Sequence, residues 1–166
     1  MPTLVLIMGV AGVGKTTVGR ALAERLGWTF LEADEDHSPA NVAKMARDEP
    51  LTDADRDGWI EAVRSRAQRH LARGENVVLA CSALRHAHRA RLRSLDARVV
   101  VVHLVAPADV IAERLTERVD HFAGPALLPS QLEDLELPKD ALVMDATRPV
   151  DETARRAFWG FAGMRS

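Results

Sequence analysis

Apolar residues in this chain fall into short unbroken runs, separated by longer stretches in which they recur at helical spacing. The runs are Thr3-Leu4-Val5-Leu6-Ile7-Met8, Trp28-Thr29-Phe30-Leu31, Asn76-Val77-Val78-Leu79-Ala80-Cys81, Arg98 to Val105, and Ala141-Leu142-Val143-Met144. Runs of this length without alternation suit strands buried on both faces, as in a parallel sheet. Between them, Val18, Leu22 and Leu26 mark one face of a helix that Gly27 stops. Thr52 or Asp53 caps a longer helix running to about Arg73, ended by Gly74. The pattern also predicts helices over Ala83–Leu95, from Pro107 to Arg118 and from Val150 to Phe161. Shorter ones are expected around Asn41–Arg47 and Gln131–Leu137. Val119 to Pro129, with Gly124, Pro125 and Pro129, reads as a loop or lid. Strands alternating with helices predict an α/β fold with a five-stranded parallel sheet between helical layers.

The first run leads directly into Gly9-Val10-Ala11-Gly12-Val13-Gly14-Lys15-Thr16-Thr17. This is G-x-x-x-x-G-K-[ST], the phosphate-cradling loop, standing where its mechanism needs it, between a strand and a helix. Its glycines allow bends that aim backbone N–H groups and a helix N-terminus at one anion. Lys15 can reach β- and γ-phosphates, and the Thr16 hydroxyl can ligate Mg²⁺. The fold class is therefore a three-layer P-loop NTPase sandwich, with Gly9 to Thr17 as the ATP-binding residues. In such sheets ligands lie beyond the carboxyl ends of the strands. That makes Asp34, Cys81-Ser82 and the residues after Val105 and Met144 candidates.

Composition narrows the remaining choices. The 166 residues fit one domain, 47% hydrophobic and 28% charged, with net charge −2. No overall basic field recruits nucleic acid or an acidic membrane, and no apolar run reaches spanning length. A single cysteine, Cys81, excludes an internal disulfide framework and fits a reducing cytoplasm. The room for partner-reading insertions lies at residues 34–52 and 119–130. An insertion after the second strand and a lid after the fourth suit a small kinase that brackets an acceptor and closes over ATP.

Beyond the loop, Glu32-Ala33-Asp34-x-x-His37, Asn41-Val42-Ala43-Lys44-Met45 and Pro50-Leu51-Thr52-Asp53-x-Asp55-Arg56 follow in order. Trp59, Ala80-Cys81-Ser82-Ala83-Leu84-Arg85, Arg118-x-x-His121-Phe122 and Leu127-Leu128-x-Ser130-Gln131-x-x-x-Leu135-Glu136-x-Pro138 complete the series. Over nearly its whole length the chain resembles the bacterial gluconokinases. The resemblance implies ATP- and Mg²⁺-dependent phosphorylation of the terminal hydroxyl of D-gluconate, on a fold similar to shikimate and nucleoside monophosphate kinases, in a homodimer.

The residues can be fitted to that substrate, a carboxylate with a row of hydroxyls. Asp34 can orient the acceptor hydroxyl and take its proton, or be a helix cap or solvated loop carboxylate. Glu32, expected on the same side of the strand, is a candidate to hold Mg²⁺ through water. His37 can bond a sugar hydroxyl or lie on the surface. Arg56 suits bidentate carboxylate recognition, with a surface ion pair to Asp53, Asp55 or Asp57 as the alternative. Lys44 is a second cation for that duty, or a solvated side chain. Arg85, His86, His88, Arg89, Arg91 and Arg93 form a basic helix, read mostly as a solvated face, from which Arg85 can reach the carboxylate. Arg114 and Arg118, one turn apart, are expected to share a helix face on the ATP side. Arg118 would neutralise transferring charge or pack on adenine, near the segment Asp145–Pro149. His121 and Phe122 are read as hinge or packing residues. The chain departs from the family pattern at Ala33, Asp36, Glu49 and Ala90, all in or near the acceptor region.

Overall fold

In a computed structural model, which describes residues 1–118 and 124–164, the five expected runs form one parallel sheet. Its strands are β1 (Thr3–Met8), β2 (Thr29–Glu32), β3 (Val77–Ala80), β4 (Arg98–Val105) and β5 (Ala141–Asp145), in the order β2-β3-β1-β4-β5. β1 lies at the centre, with Leu4 beside Val77 and Val99, and Ile7 beside Ala80 and Val102. Leu4 to Met8 have no exposed surface. Their side chains alternate between two cores, as the pleat requires. Val5 and Ile7 meet α1 (Lys15–Leu26), α5 (Ala108–Glu117) and α7 (Val150–Gly163) through Val18, Leu22, Ile111, Ala157 and Phe161. Leu4, Leu6 and Met8 meet α3 (Asp53–Ala72) and α4 (His86–Arg93) through Ile60, Val63, Ala67 and Leu92. Each fully buried leucine or isoleucine contributes roughly 1.5–3 kcal/mol.

Local signals account for the boundaries. Gly14 and Gly27 take left-handed backbone at the two ends of α1 (φ 106° and 67°), as their lack of Cβ permits. Thr52 caps α3 in a reciprocal capping box with Asp55. α2 (Pro39–Ala46) starts two residues earlier than expected, because Ser38 accepts from the Asn41 N–H and Pro39 fits a first turn. β4 has the expected bounds.

Four expectations are corrected. The helix expected from Ala83 begins at His86, and Ala83 has φ +41°. The carbonyls of Ala83 and Leu84 are taken by the Arg89 guanidinium, and that of Leu84 also by the Glu136 N–H, so they cannot start a helix. β2 ends at Glu32, and Asp34 lies in a 3-10 turn (Ala33–Asp36) that the Glu32 carboxylate caps, so the two do not share a strand face. α5 ends at Glu117, and Arg118 is extended, so Arg114 and Arg118 are not on one helical face. In the segment expected as a lid, Pro125–Leu127 form a 3-10 turn and α6 runs Leu128–Asp134, earlier than placed from sequence. His121 and Phe122 lie outside the described residues.

Candidate active site

The carboxyl ends of β1 and β3 open into a cleft whose empty space, including its mouth, is about 990 Å³. The phosphate loop forms one wall. At Gly9 (φ +153°) an added Cβ would stand 2.9 Å from the Leu104 carbonyl oxygen and 2.7 Å from Val13 Cγ1, so only glycine lets the loop pass β4. Lys15 Nζ donates to the Val10 carbonyl at 3.1 Å, folded back over its own loop. Desolvation draws its pKa below the ordinary value, against the opposing fields of Asp34 and Glu32. The Thr16 hydroxyl bonds the Glu32 carboxylate, whose other oxygen accepts the Asp34 N–H at 3.2 Å. Burial raises the Glu32 pKa. These oxygens form the hard donor set that Mg²⁺ takes, supplemented by phosphate and water. Among the described residues no cluster of three or more His, Cys, Asp or Glu forms a further metal site.

Asp34 lines the cleft with Lys15 and Thr16. Beside it, His37 stacks on Trp59, with ring centroids 4.5 Å apart and planes 8° from parallel. Asn41 Nδ2 donates to the Asp55 carbonyl at 3.3 Å and lies 3.4 Å from His37 Nδ1. An amide nitrogen only donates, so Nδ1 accepts and the neutral ring carries its proton on Nε2. That atom is 3.9 Å from Asp34 Oδ1. Burial holds the His37 pKa below its usual value, keeping the ring neutral near pH 7. Trp59 is fixed in turn by its indole N–H on the Ala33 carbonyl at 2.8 Å.

At the far end of the cleft, the aspartates crowding Arg56 are assigned elsewhere. Lys44 holds Asp55 at 2.6 Å, Arg85 holds Asp53 at 2.5 Å and Arg91 holds Asp57 at 3.2 Å. Arg56 pairs instead with Asp134 of α6 at 2.8 Å, and Arg85 pairs with the other oxygen of Asp134 at 2.9 Å. Arg56, Arg85 and His37 therefore line the cleft, whereas Lys44, turned to Asp55, is not among its lining residues. The α4 region is the solvated face expected at Arg85, His86, Arg91 and Arg93, which are exposed or half-buried, but not at its centre. His88 and Arg89 are buried, and Arg89 ties the carbonyls of Ala83, Leu84 and Glu136 together at 2.7–2.9 Å.

A second cleft adjoins the loop, lined by Gly12, Thr17, Arg114, Arg118, Ala146 and Arg148 among others. Arg114 bridges the Val13 and Ala146 carbonyls at 3.1 and 2.7 Å, fixing the loop to the turn after β5. Arg118 lines both clefts. Burial pushes the Cys81 thiol up to about 12, so it is no nucleophile.

Trp59, Gln131 and Asp134 were not among the candidate residues. Gln131 Oε1 accepts the Ala11 N–H of the phosphate loop at 2.6 Å. Sequence quoted Trp59 and Gln131 only within the resemblance, and nothing in it linked position 134 to positions 56 and 85. The departures from the family pattern are accommodated. Asp36 pairs with Arg66 at 2.8 Å, Glu49 with Arg47 at 2.9 Å, Ala33 is buried and Ala90 is exposed.

A parallel sheet, a glycine loop at a helix N-terminus and an acceptor cleft beside it define a P-loop phosphotransferase. The family model described as an AAA domain matches residues 4–138. A gluconokinase of Gluconobacter oxydans (strain 621H) is 45% identical over 139 residues, covering 84% of this chain and 78% of that protein. The crystal structure of a gluconokinase from Sinorhizobium meliloti 1021 superposes with TM-score 0.87 at 38% identity, covering 98% and 93%. Shikimate kinase from Aquifex aeolicus shares the fold, with TM-score 0.68 at 16% identity over 98% of each chain. The chain belongs to the gluconokinase family of P-loop kinases.

Proposed function

We propose that this protein transfers the γ-phosphoryl group of ATP to the terminal hydroxyl of D-gluconate, giving 6-phospho-D-gluconate and ADP. The observation that carries the reading is one cleft holding the loop lysine, a carboxylate at Asp34 and two guanidiniums at Arg56 and Arg85. The arginines take the substrate carboxylate, which directs the polyol chain toward Asp34. Asp34 accepts the proton of the attacking hydroxyl as the O–P bond forms. His37 Nε2–H faces Asp34 and orients that carboxylate or a substrate hydroxyl. Lys15 and Arg118 neutralise the charge passing to the leaving ADP. Mg²⁺, held at Thr16 with Glu32 behind it through water, would supply charge neutralisation at the β- and γ-phosphates. Lys44 acts at most indirectly, by neutralising Asp55.

Two features extend the proposal. The family resemblance implies a homodimer, for which the exposed Val143 on edge strand β5 and Trp159 on α7 are separate candidate contacts. One buried, unpaired cysteine supports a cytoplasmic setting. No helix among the described residues is long and apolar enough to cross a membrane.

The alternative acceptor is another small hydroxy acid, and the alternative class is a nucleotide-binding regulator that hydrolyses ATP slowly. A coupled ADP-release assay across a panel of sugar acids separates them. Stimulation by gluconate above the other acids is expected; release indifferent to every acid would leave only the regulator.

A further inference from the structure

Asp134 sits where an acceptor cleft for an anion has no obvious need of a carboxylate. It ends α6, its side chain is four-fifths buried, and its two oxygens are divided between Arg56 and Arg85 at 2.8 and 2.9 Å. The same helix carries Gln131 one turn earlier, bonded to the phosphate loop at Ala11. Helix α6 is thus tied at both ends of the cleft, through Gln131 at the loop and Asp134 at the two arginines. Of the other charges near that end, Asp55 is paired with Lys44, and burial, then the two arginines, hold the His88 pKa below its usual value. Asp53 also meets Arg85, at 2.5 Å, but from the rim, with 79% of its side chain in solvent. Counting the side chains that are at least two-thirds buried, two guanidiniums and one carboxylate leave one net positive charge.

We propose that Asp134 is a specificity-determining residue, setting the acceptor end of the cleft to a single positive charge and so matching it to an acid with a monoanionic head. The carboxylate of an aldonic acid completes the neutralisation. A phosphate monoester head, with close to two negative charges, would meet Asp134 as well as the arginines and leave an uncompensated charge in a partly desolvated site. Without Asp134 the two guanidiniums would match the dianion instead. The inference rests on the gluconate reading, since it assigns the substrate carboxylate to Arg56 and Arg85.

Asp134→Asn and Asp134→Glu test it on the intact protein. The probes are gluconate, glucitol as the neutral polyol, and a pentitol monophosphate carrying the same kind of hydroxyl row under a dianionic head. Equilibrium binding is read from the fluorescence of Trp59, which lines the cleft, or by calorimetry, with ADP release in parallel. Wild type is expected to prefer gluconate over both other probes. In Asp134→Asn the affinity ratio of pentitol phosphate to gluconate should rise about tenfold or more, and Asp134→Glu should keep the wild-type ratio. A merely structural role would weaken all three probes alike, leaving the ratio unchanged, and that result overturns the inference. Gluconate binding with the expected ratio shift but no phosphorylation would overturn the kinase reading and leave this one standing. Failure of wild type to bind gluconate in preference to glucitol overturns both.

Discussion

The two ends of the cleft meet anions by different means. The nucleotide end is one unbroken stretch, Gly9 to Thr17, which works through backbone N–H groups and a helix N-terminus, with Lys15 as its one charged side chain. The acceptor end is assembled from side chains on four separate segments: Asp34 and His37, Arg56, Arg85, and Asp134. Fixed amide dipoles can wait for a phosphate without a partner. Charged side chains in a partly dry cleft cannot wait unpaired, so Arg56 and Arg85 share Asp134. A local device needs only its own sequence; a distributed one needs the fold to bring in its counter-charges.

Variants can sharpen or break that contrast. The largest effect is expected from Asp34→Asn, which should lower kcat about a hundredfold to ten-thousandfold while ATP affinity stays within about twofold. An unchanged kcat would remove Asp34 from the reaction. Arg89→Leu should weaken the acceptor wall through stability, since three carbonyls lose their buried donor, at a cost of roughly 3 kcal/mol. Urea unfolding reads it; an unshifted midpoint would mean the tie is decorative. Arg56→Ala should raise the KM for gluconate by about thirtyfold, the loss of one charge-assisted hydrogen bond of about 2 kcal/mol, with the KM for ATP unaffected. Equal changes in both KM values would erase the distinction between the two ends.

The smallest effect is in pH. Burial holds His37, His88 and His103 below their ordinary 6.5. The unfolded chain therefore takes up protons that the folded chain refuses, so stability is full above about 6.5 and falls as pH drops below it. The raised Glu32 and Asp36 act in the opposite sense, starting from ordinary values of 4.5 and 3.8. The histidine effect should thus be clearest from pH 7.5 to 6, as a loss of roughly 1 kcal/mol in urea unfolding. A flat profile over that range would indicate that the three imidazoles charge freely in the folded state.

Strands and the phosphate loop were legible because their signals are local. A run such as Arg98–Val105, short and rich in β-branched valine, reads as a strand with a buried centre, and the glycines at 9 and 14 announce their own backbone. Failures came where a distant group outbid a local preference. Residues 83–85 read as helix, but Arg89 and the Glu136 N–H claim their carbonyls. The alternative for Arg56, an ion pair with one of the three aspartates around it, fails likewise: each binds a different cation while Arg56 reaches across to Asp134.

The sequence by itself determined the layered α/β architecture and the loop that cradles phosphate, since periodicity and glycine placement act over a few neighbours, while the anionic polyol came with the family resemblance. Only the tertiary structure decided which charges oppose each other. Coulomb and hydrogen-bond energies depend on separations of a few ångströms between residues as far apart in the chain as Arg56 and Asp134, and folding alone sets those separations.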